Sequence, residues 1–166
     1  MPSRASRPLT TQQVLTLLAE TPTRIAALTA GLAPAELHTS PTLDQWSANQ
    51  VLAHLRACAD VWGDCIAAII AKDQPTLQAA NPRTWIKQTD YLKQEFRSSL
   101  DAFAAQRSNL VAVLELLLPE GWSRAATVLG AGRPLERTVL YYAQWLASHE
   151  CPQSSRLNVA STLCTR

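Results

Sequence analysis

Residues 46–55 read WSANQVLAHL, a segment that begins a helix and places a lone histidine in it. Ser47 is a favourable N-cap residue, and Gln50 three positions later completes the pattern of a capping box. Apolar side chains then recur at helical spacing and predict one buried face. They are Val51, Leu55, Cys58, Trp62, Ile66 and Ile69. His54 lies at the edge of that face, so its imidazole must find a partner, and a metal ion is one candidate.

The overall composition indicates a single globular domain. Of the 166 residues, 47% are apolar and 17% are charged, and the net charge is +2. The Lys and Arg residues are scattered, which argues against a nucleic-acid partner. No apolar run approaches the ~18 residues of a membrane span, and the basic residues 1–8 lead into polar residues instead of the apolar part of a signal peptide. We therefore predict a cytoplasmic protein with neither a nucleic-acid nor a membrane partner.

The cysteine pattern also favours a reducing compartment. The four cysteines of the chain show no metal-finger spacing. Cys58 and Cys65 lie two turns apart on one predicted helix, about 10 Å at a rise of about 1.5 Å per residue. The Cα atoms of a disulfide lie within about 7 Å of each other. We therefore expect no disulfide between these two residues.

Four long helical patterns dominate the chain, and no strand pattern competes with them. The first three predicted helices span 11–29, 47–72 and 90–118. The fourth is predicted to start within 134–138 and to end near 150. Pro22 should kink or split the first helix. The third helix should bury one face, made of Leu92, Phe96, Leu100, Phe103, Leu110, Val113, Leu114 and Leu117. The fourth carries Val139, Tyr142, Leu146 and His149 on one face.

The segments between these helices are expected to lack regular structure. Residues 32–46 form a turn-like link, residues 75–83 form the longest connection, and residues 122–134 are irregular. The pattern predicts an all-α fold, a four-helix bundle with one long crossover connection. In such bundles, ligand and metal sites form from inward side chains on facing helices.

The three histidines differ in their surroundings. His38 lies in the link after the first helix and is expected to be a solvated surface residue. His54 and His149 project from apolar faces of the second and fourth helices, which can face each other in an up-and-down bundle. Neutral imidazole is a common ligand for zinc and related ions. On spacing alone, the more common arrangement is a buried pair that is hydrogen-bonded to backbone or carboxylate groups.

Several neighbouring residues allow two interpretations. Cys58, one turn after His54, is either a third metal ligand or, more commonly for such a position, a small buried apolar side chain. Arg107, in the middle of the third helix, is either solvated or an anchor for a carboxylate in the pocket. The side chains of Tyr141, Tyr142 and Trp145 near His149 are expected to be core and rim aromatics.

Five pieces of the sequence together resemble the DinB/YfiT-like superfamily of four-helix proteins, which includes thiol-dependent S-transferases and maleylpyruvate isomerase. The pieces are residues 18–22 (LAETP) with Leu28 and Leu32, residues 44–56 (DQWSANQVLAHLR), residues 103–107 (FAAQR), residues 121–124 (GWSR) and residues 138–150. The second piece is the most specific one. The resemblance covers residues 11–150, so we expect a flexible N-terminus over 1–10, a DinB-like bundle over 11–150 and an atypical C-terminal tail over 151–166.

The resemblance implies a divalent metal, zinc or nickel, that is held by three histidines. One matches His54, another matches His149, and the third would fall four residues later, at Gln153. Pro152 should end the helix near Glu150, because proline has no amide hydrogen and its ring clashes with the preceding turn. An amide oxygen is also a poorer zinc ligand than imidazole. The third ligand is therefore left open among Gln153, Cys58 and water.

The function that the resemblance implies is that of a divalent-metal-dependent enzyme of the thiol S-transferase type. Its partners would be a small-molecule substrate or a low-molecular-weight thiol, and a second copy of the chain in a homodimer. The metal would lower the pKa of a bound thiol or water. The alternative is a degenerate, metal-free bundle that acts as a small-ligand-binding or dimerising scaffold, because a fold does not by itself fix a function.

Overall fold

A computed structural model of the chain describes residues 8–149. In chain order, its α-helices are α1 (Thr11–Thr29), α2 (Pro34–His38), α3 (Ala48–Ala71), α4 (Pro82–Trp85), α5 (Phe96–Glu115), α6 (Pro119–Trp122) and α7 (139–149). Two 3-10 turns, Ile86–Gln88 and Tyr91–Lys93, lie between α4 and α5. The long helices α1, α3, α5 and α7 form the four-helix bundle that the sequence predicts.

The core lies between these four helices. One cluster of buried side chains draws on all of them and includes Leu18 from α1, Trp62 from α3, Leu114 from α5 and Leu146 from α7. A second cluster joins the C-terminal half of α1 to the N-terminal halves of α3 and α5. Helix α3 contributes to both clusters and carries more buried residues than α1, α5 or α7, so it is the central helix of the bundle.

The capping box predicted at the start of α3 is confirmed. The Gln50 backbone N–H donates to Ser47 Oγ at 3.1 Å, and the Ser47 backbone N–H donates to Gln50 Oε1 at 2.8 Å. Each side chain thus satisfies a backbone donor that the first turn of a helix leaves without an intrahelical partner. This reciprocal pair fixes where α3 begins and therefore where His54 lies along it.

A three-stranded sheet accompanies the bundle, and the sequence did not predict it. Strand β1 (Thr76–Gln78) pairs in parallel with β2 (Ala125–Leu129), which pairs antiparallel with β3 (Leu135–Thr138). The prediction of an irregular segment over 122–134 was wrong for β2, and the predicted fourth helix starts later than expected, at residue 139. The strands are three to five residues long, too short to show an alternating pattern. Two residues of β2, Ala126 and Val128, pack into the first core cluster and join the sheet to the helices.

Three helix predictions also need correction. Pro22 does not split α1, which runs through it without interruption. The third helix spans Phe96–Glu115, inside the predicted limits 90–118. It begins at Phe96 because the Glu95 carboxylate caps it by accepting from the Arg97 and Ser98 backbone N–H groups. The link 32–46 contains the short helix α2.

Two side chains of the predicted core face of the third helix are exposed, and two more, Leu110 and Leu117, are only partly buried. Leu92, which lies in a 3-10 turn before the helix, is 48% exposed, and Val113 is 45% exposed. No helix within residues 8–149 is long and apolar enough to cross a membrane.

Candidate metal centre

Helices α3 and α7 bring three ligand-type side chains together inside the bundle. His54 and Cys58 lie one turn apart on α3 and therefore share a face. His149 approaches them from the end of the described part of α7. These are the two histidines that the sequence places on facing helices, and the expectation that they meet agrees with the structure.

The distances within this group are short. The Nε2 atoms of His54 and His149 are 3.0 Å apart, and Cys58 Sγ lies 3.6 Å from His54 Nε2. The ligand atoms of all three residues lie within 4.8 Å of one another. His54 and Cys58 are buried, whereas His149 is half-buried, so the group lies at the edge of the core.

Two of these separations are close to those of a zinc site. Typical bond lengths are about 2.0–2.1 Å for Zn–N and about 2.3 Å for Zn–S, so tetrahedral angles put two nitrogens about 3.4 Å apart and a nitrogen and a sulfur about 3.6 Å apart. The pair of Cys58 and His54 matches the second value, and the histidine pair is a few tenths of an ångström shorter than the first. Imidazole and thiolate are also the ligand types that suit zinc. The ligand types and these two distances therefore fit a divalent ion of this kind.

Aromatic side chains enclose the two imidazoles. The ring of Trp46 meets His54 edge-on with centroids 5.2 Å apart, and Trp62 meets His149 in the same way at 5.5 Å. Trp62 packs in turn against Trp145 at 4.6 Å. Trp62 is 6% exposed, which confirms it as a core residue, while Trp145 is 48% exposed. These ring contacts restrict the rotation of both imidazoles.

A cavity of about 280 Å³ opens beside His54. Its lining comes from the start of α3 and from the crossover between β1 and α5, and consists of Trp46, Gln50, His54, Arg83, Ile86 and Leu92. The crossover supplies one wall, so the shape of the cavity depends on how this segment is attached to α3.

Asp60 on α3 anchors the crossover. Its carboxylate accepts hydrogen bonds from Trp85 Nε1 at 3.0 Å, from the Tyr91 hydroxyl at 2.7 Å and from Gln106 Nε2 at 2.6 Å. Burial, together with the hydrogen bond to Asp60, raises the pKa of Tyr91 to about 12. The Arg56 guanidinium also lies over the Tyr91 ring, 3.9 Å from its centroid. One turn of α3 thus holds both the crossover and α5.

Predictions were also made for three residues outside the cluster, namely Gln153, Arg107 and His38. Gln153, at the third ligand position that the resemblance implies, lies outside the described residues, as do Pro152 and the predicted tail. Arg107 is 1% exposed, with its guanidinium 5.0 Å from the Phe103 ring centroid, so the solvated interpretation was wrong. The expected exposure of His38 is confirmed.

Two features of the site were missed by sequence reasoning. Arg83 and Trp46, which both line the cavity, were not singled out as functional residues. For Trp46 the signal was present, since it directly precedes the N-cap of the helix that carries His54. For Arg83 no local pattern exists, because its position depends on the path of the crossover.

Comparison with known proteins agrees with the fold and with the earlier resemblance. No curated protein matches the chain. Among solved structures, YfiT from Bacillus subtilis, described as a probable metal-dependent hydrolase with an unusual four-helix bundle topology, is similar with a TM-score of 0.74. The two share 15% identity over 98% of this chain and 91% of that one, so the likeness concerns the fold. The sequence profile of the DinB superfamily matches residues 17–151, and the chain therefore belongs to this superfamily.

Proposed function

We propose that the protein is a divalent-metal-dependent enzyme whose metal ligands are His54, Cys58 and His149. The observation that carries the proposal is the convergence of two imidazole nitrogens and one sulfur within 4.8 Å, from two different helices, at the edge of a buried core. Cys58 takes the position of third ligand in this proposal because its sulfur lies at a zinc-like distance from His54 Nε2.

The residues around this group supply what a metal enzyme requires of its protein. His54 and Cys58 are held on a capped helix, and Trp46 and Trp62 restrict the rotation of the two imidazole rings. Three protein ligands leave a fourth position for water or a substrate atom, as is typical of catalytic rather than structural zinc sites. When bound, a divalent ion supplies Lewis-acid chemistry that lowers the pKa of a coordinated water or thiol.

Two reaction types use that chemistry. Transfer to or from a low-molecular-weight thiol is what the superfamily resemblance implies, and hydrolysis is what the description of YfiT suggests for that protein. Both need a nucleophile near neutral pH and a small cavity next to the ligands, which the chain has beside His54. The homodimer and the cytoplasmic location stay predictions from the sequence.

One observation favours a second candidate. The 3.0 Å between the two imidazole nitrogens is also the ordinary length of an N–H···N hydrogen bond between neutral rings. In this case the histidine pair is structural, and the bundle is a metal-free scaffold that binds small ligands or dimerises.

Metal analysis of the purified full-length chain separates the two candidates. We expect about one equivalent of zinc or nickel in the wild type and its loss in His54→Ala and His149→Ala. His38→Ala is the matched control, since it removes an exposed histidine that is not part of the cluster. Metal-free wild-type protein that also fails to take up zinc would refute the enzyme proposal and favour the scaffold.

Activity assays then decide the reaction type. The metal-loaded protein is incubated with a small thiol and an electrophile, and separately with a panel of small esters and amides. Loss of thiol that depends on His54 supports the transferase, and hydrolysis with the same dependence supports the hydrolase. Failure to consume thiol with the metal restored would remove the transferase.

A further inference from the structure

The cavity beside His54 has a charge that nothing in its lining balances. Three of its lining residues, Trp46, Ile86 and Leu92, present apolar side chains. Arg83 is the charged member, and no Asp or Glu among the described residues lines the cavity. The lining of the cavity therefore combines apolar side chains with one positive charge.

The polar groups in the lining mainly donate hydrogen bonds. Gln50 Oε1 already accepts from the Ser47 backbone N–H at 2.8 Å and from Ser40 Oγ at 3.3 Å, which leaves the Gln50 amide NH₂ as the group that can bind a ligand. The Arg83 backbone N–H donates to Asn81 Oδ1 at 2.9 Å and fixes the start of α4. Its guanidinium makes no ion pair with the described residues, and a guanidinium can only donate.

We propose that this cavity binds the substrate, and that the substrate is a small molecule with an apolar body and a carboxylate that Arg83 binds. A guanidinium matches the two oxygens of a carboxylate with two parallel hydrogen bonds. An apolar body then lies between Trp46 and Leu92, next to His54. The role of the cavity in a reaction rests on the proposed function, because His54 belongs to both the cavity and the metal ligands.

The size of the cavity limits the ligand. Pockets for drug-sized ligands have volumes of about 300–1,000 Å³, and this cavity, at about 280 Å³, is slightly smaller. A single ring or a short chain that bears one carboxylate fits this space. Suitable probes are 3-phenylpropionate and 3-phenylpropanamide, which have nearly the same shape and differ in charge.

The test is a titration of ¹⁵N-labelled full-length protein with each probe, followed through the indole N–H signal of Trp46. A Trp46→Phe variant identifies this signal among the five tryptophans of the chain. Each titration is run on the protein as purified and after removal of metal with a chelator. The variant is Arg83→Gln, and the matched control is Lys87→Gln, which removes an exposed positive charge nearby that does not line the cavity.

We expect the carboxylate to bind about tenfold more tightly than the amide. This preference corresponds to the lower end of what hydrogen bonds to charged groups contribute, because Arg83 is exposed and water weakens its interactions. Arg83→Gln should abolish this preference, Lys87→Gln should retain it, and 0.5 M salt should weaken it. Equal binding of the two probes, or a preference that survives Arg83→Gln, would overturn the proposal.

The metal-free arm separates this proposal from the function on which it rests. A preference that is lost with the metal and insensitive to Arg83→Gln would show that the ion binds the carboxylate, which overturns the role of Arg83 and leaves the metal-dependent function standing. A preference that depends on Arg83 in a protein that takes up no metal would support the carboxylate pocket and refute the enzyme.

Discussion

Replacement of Asp60 by alanine should destabilise the fold and loosen one wall of the cavity. The substitution removes the acceptor of three hydrogen bonds, from Trp85, Tyr91 and Gln106. A hydrogen bond to a charged group contributes about 1.5–3 kcal/mol, but Asp60 is half-buried, and the exposed Trp85 N–H can bind water instead. We therefore expect the free energy of unfolding to fall by ~2–4 kcal/mol, less than the sum of three such bonds.

Urea unfolding of Asp60→Ala and of a matched control, Asp64→Ala, measures this effect. Asp64 lies one turn later, and burial together with the charge of Asp60 raises the pKa of its carboxyl, so loss of Asp64 removes an unfavourable charge. Asp64→Ala should therefore change stability by no more than ~0.5 kcal/mol. Hydrogen exchange should rise over residues 82–95 in Asp60→Ala before global unfolding. Equal stabilities for the two variants would refute the role given to Asp60.

Three further outcomes follow from the described contacts. Trp62→Ala should lower the free energy of unfolding by ~3–5 kcal/mol because the side chain is buried, and a loss under ~1 kcal/mol in urea unfolding would contradict its place in the core. Because the pKa of Tyr91 is raised from 10.0 to about 12 in the folded state, its contribution to stability is complete below pH 10 and is lost as the pH rises towards 12. The decline of thermal stability over this range should be shallower in Tyr91→Phe, and an unchanged slope would argue against the shift. Arg97→Ala should lower the free energy of unfolding by ~1–3 kcal/mol, since Arg97 donates to both the hydroxyl and the carbonyl of Thr29 at the end of α1. The control Arg24→Ala, which breaks an exposed i,i+4 ion pair, should lower it by less than ~0.5 kcal/mol. Equal losses of stability in the two arginine variants would contradict the role of Arg97 in holding α5 to α1.

The helical part of the fold could be predicted because its signals are local. Repeated apolar positions mark the faces of the long helices, and the Ser47 and Gln50 capping box marks the start of α3. The meeting of His54 and His149 follows from the same reasoning, since each lies on the apolar face of a helix and facing helices turn such side chains towards each other. Cys58 lies one helical turn after His54, so its thiol falls on the same face and joins the two imidazoles.

The crossover and the sheet depend on contacts between distant residues, which no local pattern reveals. Trp85 and Tyr91 are 25 and 31 residues from Asp60 in sequence, and their hydrogen bonds to it fix the segment between β1 and α5. Strand β1 has only three residues and pairs with a strand about 50 positions later. Arg83 reaches the cavity through this crossover, so no local pattern in the sequence places it there.

The burial of Arg107 shows a different kind of limit. Its position on the helical wheel, midway between the apolar stripe and the solvent face, left both interpretations open. The structure buries it almost completely, beside Phe103. A long charged side chain at such a boundary is buried or solvated according to what packs over it, and that depends on elements remote in sequence.

The most direct test of the metal centre is the X-ray absorption spectrum of the zinc-loaded full-length chain at the zinc edge. If His54, Cys58 and His149 bind one ion, the spectrum will show nitrogen neighbours at about 2.0–2.1 Å and one sulfur at about 2.3 Å, and Cys58→Ala will lose the sulfur. Failure of the wild type to retain zinc, or a zinc environment without sulfur, would contradict the assignment of these three ligands.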